Sequence, residues 1–404
     1  MQKIYKVAII GGGASGLISA VELCLGKNCF LGSDIAILER SDRVGKKLIS
    51  TGNGQGNLSN AEIGENNYYG DKDFIKAFFN SNKITISEYF SELGIPFVTE
   101  KNGKQYPMSK QASAVLDIIR NVLDKKGVNI FTNSLVLDIK NDYSHYNITC
   151  GDGNVYKAEN IILAFGGKSA KQFGTDGSSY VLAEKFGHKL TKLYPSLVQL
   201  KTSLEEIKGL KGVKEKARIS AFDGNKFLKS VCGDVLFTEY GISGDAVFNI
   251  SSTLVDKANP YVILEFLPNV DSDEIVSILE RRKRTGLYPT DKILDGIVNK
   301  KVGSAILKLA KSYDAVKITD TLKNYKLKIT GNLGFNYSQV TKGGISTEYV
   351  NPKTFESQIK KGVYLIGELL NVDGDCGGYN LDFAFKSGII ASKNIKNNTK
   401  EKWS

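Results

Sequence analysis

The sequence predicts an α/β fold: a Rossmann-like dinucleotide-binding domain joined to a middle region of different character. Three observations predict it. The chain opens with a strand, a glycine turn, a helix and a second strand that ends on an acid, all before residue 40. From about residue 189 the pattern changes to short strands and turns, and at 272–323 to helix. The last block returns to a buried strand, a glycine-rich loop and a helix.

Lys6-Val7-Ala8-Ile9-Ile10 is a β-branched apolar run, the composition of a strand buried on both faces. Gly11-Gly12-Gly13-Ala14-Ser15-Gly16 follows, then Leu17, Ala20, Val21 and Leu23 at helical spacing, then Asp34–Leu38 and Glu39. In that context the glycines form a dinucleotide fingerprint. Gly11 permits the tight turn, Gly13 the approach of a pyrophosphate, and Gly16 the close packing of helix on strand. The helix N-terminus adds N–H donors and a partial positive charge, and Glu39 is placed to accept from ribose hydroxyls. An ADP moiety is the ligand this arrangement fits.

Arg40–Asn60 reads as a long, glycine-rich polar loop in which Lys46 and Lys47 suit a phosphate or an electron-rich ring edge. Residues 72–93 read as one helix, 97–108 as a hairpin around Asn102-Gly103, and 110–126 as an amphipathic helix. Strands follow at 129–139 and a hairpin at 146–158. Asn160–Gly167 is a buried strand ending in small residues, the kind that returns the chain to a dinucleotide. Gly174–Tyr180 opens a helix with Asp176 or Ser178 as N-cap. Leu236–Gly244 runs a strand into a glycine-hinged turn. Near the end, Val363–Glu368 is a buried strand, and a glycine-rich loop leads to a helix starting at Asn380. That junction presents backbone N–H groups and a positive dipole end to an anion or a carbonyl.

At 404 residues the chain is long enough for two or three domains. Its 41% apolar and 24% charged content is that of a soluble globular protein, and no run of about 18 apolar residues marks a membrane span. The glycine fingerprint interrupts what would otherwise resemble a signal sequence, so a cytoplasmic protein is expected. The five cysteines are scattered without metal-ligand spacing, so no metal site is expected. Cys24 and Cys29 are spaced like a redox dithiol, but their place after the first helix favours ordinary thiols in a reducing compartment. The net charge of +11 and pI near 9.1 could attract nucleic acid. Because the lysines are spread over the chain and Arg281–Arg284 lies on an amphipathic helix, that partner is not favoured. The two histidines, His145 and His188, follow turns and suit structural roles.

Several motifs together resemble one family. They are the fingerprint, Gly45-Lys46-Lys47 with Ser50-x-Gly52-x-Gly54, Gly166-Gly167-Lys168-Ser169 with Gly174-Thr175-Asp176-Gly177, and Leu236-Phe237-Thr238-x-x-Gly241-Ile242-Ser243-Gly244. Further along come Thr341-x-Gly343-Gly344-Ile345, Asn351-Pro352-Lys353-Thr354-x-Glu356-Ser357, and Gly367-Glu368-x-x-x-Val372-Asp373-Gly374-x-x-Gly377-Gly378-Tyr379-Asn380. Nearly the whole chain is thus similar to bacterial FAD-dependent flavoproteins of the bile-acid-reductase-like type, whose relatives include an aminoacetone oxidase. The resemblance implies a glutathione-reductase-like FAD domain built from residues 1–188 and 341–404. It implies an inserted β-barrel-like substrate domain, 189–265 with 325–340, and a small helical domain, 266–324. One departure stands out: where relatives carry Arg-Cys-Asn, this chain has Gln55-Gly56-Asn57, which weakens any transfer of their substrate.

Under that resemblance the residues expected to hold FAD are Gly11, Gly13, Ala14, Ser15, Gly16, Glu39, Arg40, Lys46, Lys47, Asn57, Val136, Ala164, Gly166, Gly367, Glu368, Asp373, Gly378, Tyr379 and Asn380. Candidate active-site groups are Tyr240, Glu239 and Tyr379, with Tyr240 as a proton donor. A second dinucleotide fingerprint is missing, so NAD(P)H is expected as a transient co-substrate at the flavin. The leading expectation is reduction of a conjugated C=C or C=O in a small molecule. The alternatives are an amine or amino-ketone oxidase using O2, and a basic flavoprotein that binds nucleic acid. The oligomeric state stays open.

Overall fold

In a computed structural model that describes residues 3–401, the apolar run Ile4–Ile10 lies inside a seven-stranded sheet. Ile35–Leu38 and Val155–Leu163 flank it in parallel, with Val7 opposite Ile35 and Ile10 opposite both Leu38 and Leu163. Asn129–Phe131 adds a parallel strand outside Ile35–Leu38. The second half of Val155–Leu163 pairs in parallel with Val363–Leu365, so the sheet unites the two ends of the chain. Its first half pairs with His145–Cys150, which continues to Val136–Asp142, both antiparallel. All four residues of Ile35–Leu38 are buried, as expected of a parallel strand covered on both faces.

Helices cover this sheet because their apolar stripes have nowhere else to go. Ala14–Cys24 is buried along nearly its whole length, and the long final helix Tyr379–Glu401 packs against it. The first unit, Met1–Leu193 with Val340–Ser404, therefore holds one continuous core.

Local structure departs from expectation in three places. The helix expected at 72–93 is two, Lys72–Ser81 and Ile86–Glu92. Asp71 caps the first through its carboxylate, and at its end Asn82 donates to Phe78 O at 2.9 Å, a side chain competing for a helical carbonyl. The polar loop after Glu39 contains a helical turn, Lys46–Ile49, entered through left-handed Gly45, before reaching the short strand Ser59–Asn60. The helix expected from Asp176 or Ser178 begins at Tyr180, after Ser179, which makes no side-chain cap bond. Asp176 instead meets Arg40 at 2.8 Å, a charge-assisted contact stronger than a cap.

The second unit is Tyr194–Gln339. Six antiparallel strands close a barrel in the order Leu200–Thr202, Gly241–Ser243, Lys226–Phe237, Lys214–Asp223, Pro260–Phe266, Tyr325–Asn332. Alternating burial along the long strands supplies the barrel interior. The expected helical segment forms Ser272–Thr285, Lys300–Ala310 and Ala315–Lys323. Rather than standing as a separate domain, these helices share one core with the barrel through Ile275, Leu279, Ile306, Ile318 and Leu322.

All five cysteines are free. Cys24 is buried and its thiol is pushed up to about 11 by that burial, while Cys29 is exposed, the environment of an unreactive thiol beside a surface one. Among the described residues, no helix is long and apolar enough to cross a membrane.

Candidate active site

The glycine turn is built as the fingerprint requires. Gly11 N–H donates to Leu38 O at 2.9 Å, which ties the turn to the second strand. Glu39 holds the same turn from below: its Oε2 accepts from Gly12 N–H at 2.8 Å and its Oε1 from Ser41 N–H at 2.7 Å. Two glycines then show opposite environments. A Cβ on Gly16 would lie 2.0 Å from Gly11 O, so only glycine permits this helix-to-turn contact. A Cβ on Gly13 would meet no atom within 4 Å. Gly13 is also the N-cap of the helix and offers it no side-chain bond, leaving the first-turn N–H groups of Ala14, Ser15 and Gly16 to an outside acceptor. Open space in front of an uncapped helix N-terminus fits a pyrophosphate.

The remaining expected residues arrange around this point. Ser134 N–H donates to Glu39 O at 2.8 Å, which brings the segment before Val136, itself buried, to the end of the Glu39 strand. Ala164 N–H donates to Ile10 O, placing Gly166 just beyond the sheet beside the fingerprint. Gly367 takes a hydrogen bond from its N–H to Ser387 Oγ at 3.0 Å, and a Cβ there would lie 2.7 Å from Ser15 Oγ. The C-terminal block thus meets the first helix where the dinucleotide is expected.

Charge is organised in two ion pairs and a surface contact. Lys47 Nζ lies 2.6 Å from Glu368 Oε2, with both side chains largely covered, and Glu368 Oε1 accepts from Thr341 N–H at 2.9 Å. Arg40 is engaged by Asp176; burial works to raise that carboxyl, but the guanidinium and Ser178 outweigh it and hold the group well below the usual carboxylate range. Lys46 pairs with Asp42 one helical turn earlier.

The terminal glycine loop is latched at both ends. Asn380 accepts from Gly374 N–H at 2.8 Å and donates to Gly374 O at 2.9 Å, closing the loop on itself. Asn57, oriented by its hydrogen-bond network, donates to Ser59 O at 3.0 Å and accepts from Gly378 N–H at 3.3 Å. Asp373 is buried in a strand opposite Tyr69. Tyr379 is mostly buried; its carbonyl accepts from Tyr68 OH, and its own hydroxyl has no protein partner among the described residues.

Two residues that sequence reasoning did not single out join this loop. Asp382 is buried in the first turn of the final helix, where Ser59 OH donates to its Oδ1 at 2.8 Å and Lys386 pairs with its Oδ2 at 2.7 Å. Burial pushes this carboxyl up, against the pull of Lys386 and Ser59. Tyr106 packs beside Gly52 and Asn57: a Cβ on Gly52 would lie 2.9 Å from Asn57 N and 3.5 Å from Tyr106 Cε1. Its hydroxyl likewise lacks a protein partner among the described residues, and burial first, then Glu100 and Cys376, raise its pKa. The signal for Asp382 lay in its pairing with Ser59, 323 residues away, and that for Tyr106 in its packing against Gly52 and Asn57, contacts that no local window displays.

Tyr240 and Glu239 belong to the barrel unit. Glu239 is exposed, with its carboxylate 2.6 Å from Lys211 Nζ; side chains about 70% exposed on both sides make this a surface ion pair (69% and 71%). Tyr240 is half-buried, and its backbone, not its ring, ties the turn: its carbonyl accepts from Thr202 N–H.

Comparison with known proteins agrees with this geometry. The model of the HI0933-like protein Rossmann domain matches residues 5–394. The chain is 34% identical to a 3-dehydro-bile acid delta(4,6)-reductase of Clostridium scindens, over 96% of this chain and 98% of that protein. It is 27% identical to a ribosomal RNA dihydrouridine synthase of Haemophilus influenzae, over 98% of this chain and 99% of that one. Among solved structures, the 3-ketosteroid-delta4-(5alpha)-dehydrogenase of Rhodococcus jostii RHA1 shares the fold, at 13% identity and a TM-score of 0.50 over 98% of each chain. The chain belongs to the HI0933-like Rossmann-domain family, the FAD-dependent oxidoreductases that its sequence motifs resemble.

Proposed function

We propose that this protein takes hydride equivalents from NAD(P)H and reduces a C=C bond conjugated to a carbonyl in a small organic substrate. The observation that carries this reading is the single cradle at Gly13, uncapped and open, in a chain without a second dinucleotide fingerprint. One bound dinucleotide is accommodated, and the nicotinamide has to come and go. The names of the relatives point the same way: a delta(4,6)-reductase and a dihydrouridine synthase each add hydrogen across a carbon–carbon double bond.

FAD, when bound, supplies the hydride chemistry. The chain's own residues hold and orient it: Gly13, Ala14, Ser15 and Gly16 by backbone N–H groups, Glu39 at the ribose, and the Gly374–Asn380 loop with the final helix dipole at the electron-rich ring edge. The Lys47–Glu368 pair lies beside Thr341, where its charge tunes that edge. Tyr106 and Tyr379 each bring a hydroxyl with no acceptor among the described residues, so either can give up a proton to a substrate carbanion.

The test is photometric. Under anaerobic conditions NADPH or NADH bleaches the visible flavin band, and a conjugated enone restores it. An intact band with both nicotinamides overturns the reductase reading and favours the amine or amino-ketone oxidase, which oxygen consumption with small amino-ketones would register.

A second reading places the reducible bond in a uracil of RNA. The relatives named as ribosomal RNA dihydrouridine synthases, of Haemophilus influenzae and Escherichia coli, span 98% and 97% of this chain, and its net charge is +11. RNA affinity that falls steeply with salt supports it; no binding at low salt removes it.

A further inference from the structure

A second basic site lies elsewhere on the first unit. The break between the helices Lys72–Ser81 and Ile86–Glu92, the segment after Asn351 and the second half of the final helix line a cavity of about 390 Å³ that is broadly open to solvent. Its wall carries Lys83, Lys353 and Lys393 together with Asn82, Asn394 and Asn397, and no acid. Among the described residues none of the three ammonium groups has an ion-pair partner. Among the described residues Asn397 has no side-chain partner either. Asn394 accepts through Oδ1 from Tyr364 OH and from Asn398, which leaves its two amide hydrogens unspent. Glu356, linked to this wall through Tyr364, is already held by Gly362 N–H at 2.9 Å.

Three positive charges from three separate segments line this one wall with no acid among them, which favours an anionic occupant. The side chain of Lys353 is exposed, but the backbone that carries it is anchored, its N–H donating to Asn351 Oδ1 at 2.9 Å. Phe355 is fully buried in a left-handed conformation, and Ser357 is bonded to buried His188 at 2.8 Å. The segment belongs to a sequence motif, Asn351 to Ser357, that the dinucleotide site does not use. Lys393 stands 14 residues along the final helix from Tyr379, roughly 20 Å at 1.5 Å per residue, so the cavity is distinct from the glycine loop.

We propose that this cavity is a second binding site for a phosphorylated ligand with at least two negative charges. Lysine ammonium groups bind phosphate as point charges, the free amides add donors, and the volume is within the usual range for small-molecule sites. The site stands independently of the NAD(P)H reading.

The test uses the full-length, FAD-saturated protein, so that added nucleotides do not report on the cofactor site. Calorimetry at about 0.15 M salt is run with inorganic pyrophosphate, with ADP and with a short oligouridylate. Saturable one-to-one binding is expected for pyrophosphate or ADP, weakened by roughly tenfold or more in the triple variant K83Q/K353Q/K393Q, which removes all three charges from the wall. All three lysines are exposed, so the flavin spectrum and the melting temperature stay unchanged, and K83R/K353R/K393R retains binding. Binding of the oligouridylate alone, lost in the same variant, assigns the site to phosphates of a polynucleotide backbone. No binding by any probe, or binding unaltered by the triple substitution, overturns the proposal.

Discussion

Two glycines three residues apart separate the demands of folding from those of the cofactor. Gly16 is required by the fold, because a methyl group there would meet Gly11 O at 2.0 Å. Gly13 is not: its backbone is extended at φ −80 and nothing lies within 4 Å of a built Cβ. Gly13→Ala is therefore expected to leave the apoprotein's unfolding free energy within about 0.5 kcal/mol of the parent, the range of an uncrowded surface change. The same substitution should weaken FAD binding at least tenfold, about 1.4 kcal/mol, in a fluorescence titration. Gly16→Ala should instead destabilise the apoprotein by roughly 1–3 kcal/mol through overpacking. A Gly13→Ala variant that binds FAD as tightly as the parent would contradict the cradle.

At the scale of elements, the first turn of the final helix depends on a buried carboxylate. Asp382 links the helix to the strand Ser59–Asn60 through Ser59 and to its own next turn through Lys386, whose side chain is only 12% exposed. Asp382→Ala leaves that ammonium nearly buried without its partner, a change that costs about 3 kcal/mol or more in comparable settings. The urea midpoint is expected to fall accordingly. Because Ser59 and Gly378 share the Asn57 bridge, FAD is expected to dissociate faster than from the parent. An unchanged midpoint would assign the helix start to packing alone. The glycine loop and the helix that follows thus act as one piece: Asn380 closes the loop, Asp382 anchors the helix, and Asn57 joins both to the chain's beginning.

At the scale of the whole molecule, the first unit is interrupted by 146 residues, Tyr194–Gln339, yet its own sheet and core are continuous. The two points where the chain leaves and re-enters that unit are neighbours: Leu190 pairs with Ile345, and Thr191 N–H donates to Gly344 O at 2.9 Å. A short linker can therefore replace the second unit without stretching the first, since closing a short gap costs little chain entropy. Such a deletion protein is expected to fold and to hold FAD, seen as a visible flavin spectrum with protein-like circular dichroism. It is expected to lose turnover of the enone substrate. An insoluble or colourless product would show that the first unit depends on the barrel for its stability.

The local pattern alone was enough for the dinucleotide fold. Alternation of strand, glycine turn and helix is written in consecutive residues, so Gly11, Gly13, Gly16, Glu39 and the Gly367–Asn380 block could be read from neighbours in the chain. Tertiary structure decided what depends on distant partners. It turned Asp176 from a helix cap into the partner of Arg40, committed Glu239 to a surface pair with Lys211, and divided the 72–93 helix at Asn82. It merged the expected helical domain with the barrel, because the apolar faces of those helices and of the barrel strands cover each other. It also disclosed Asp382, Tyr106 and the three converging lysines. Each depends on groups brought together from far along the chain, where charge, burial and the free valences of a side chain become defined only once the chain has folded.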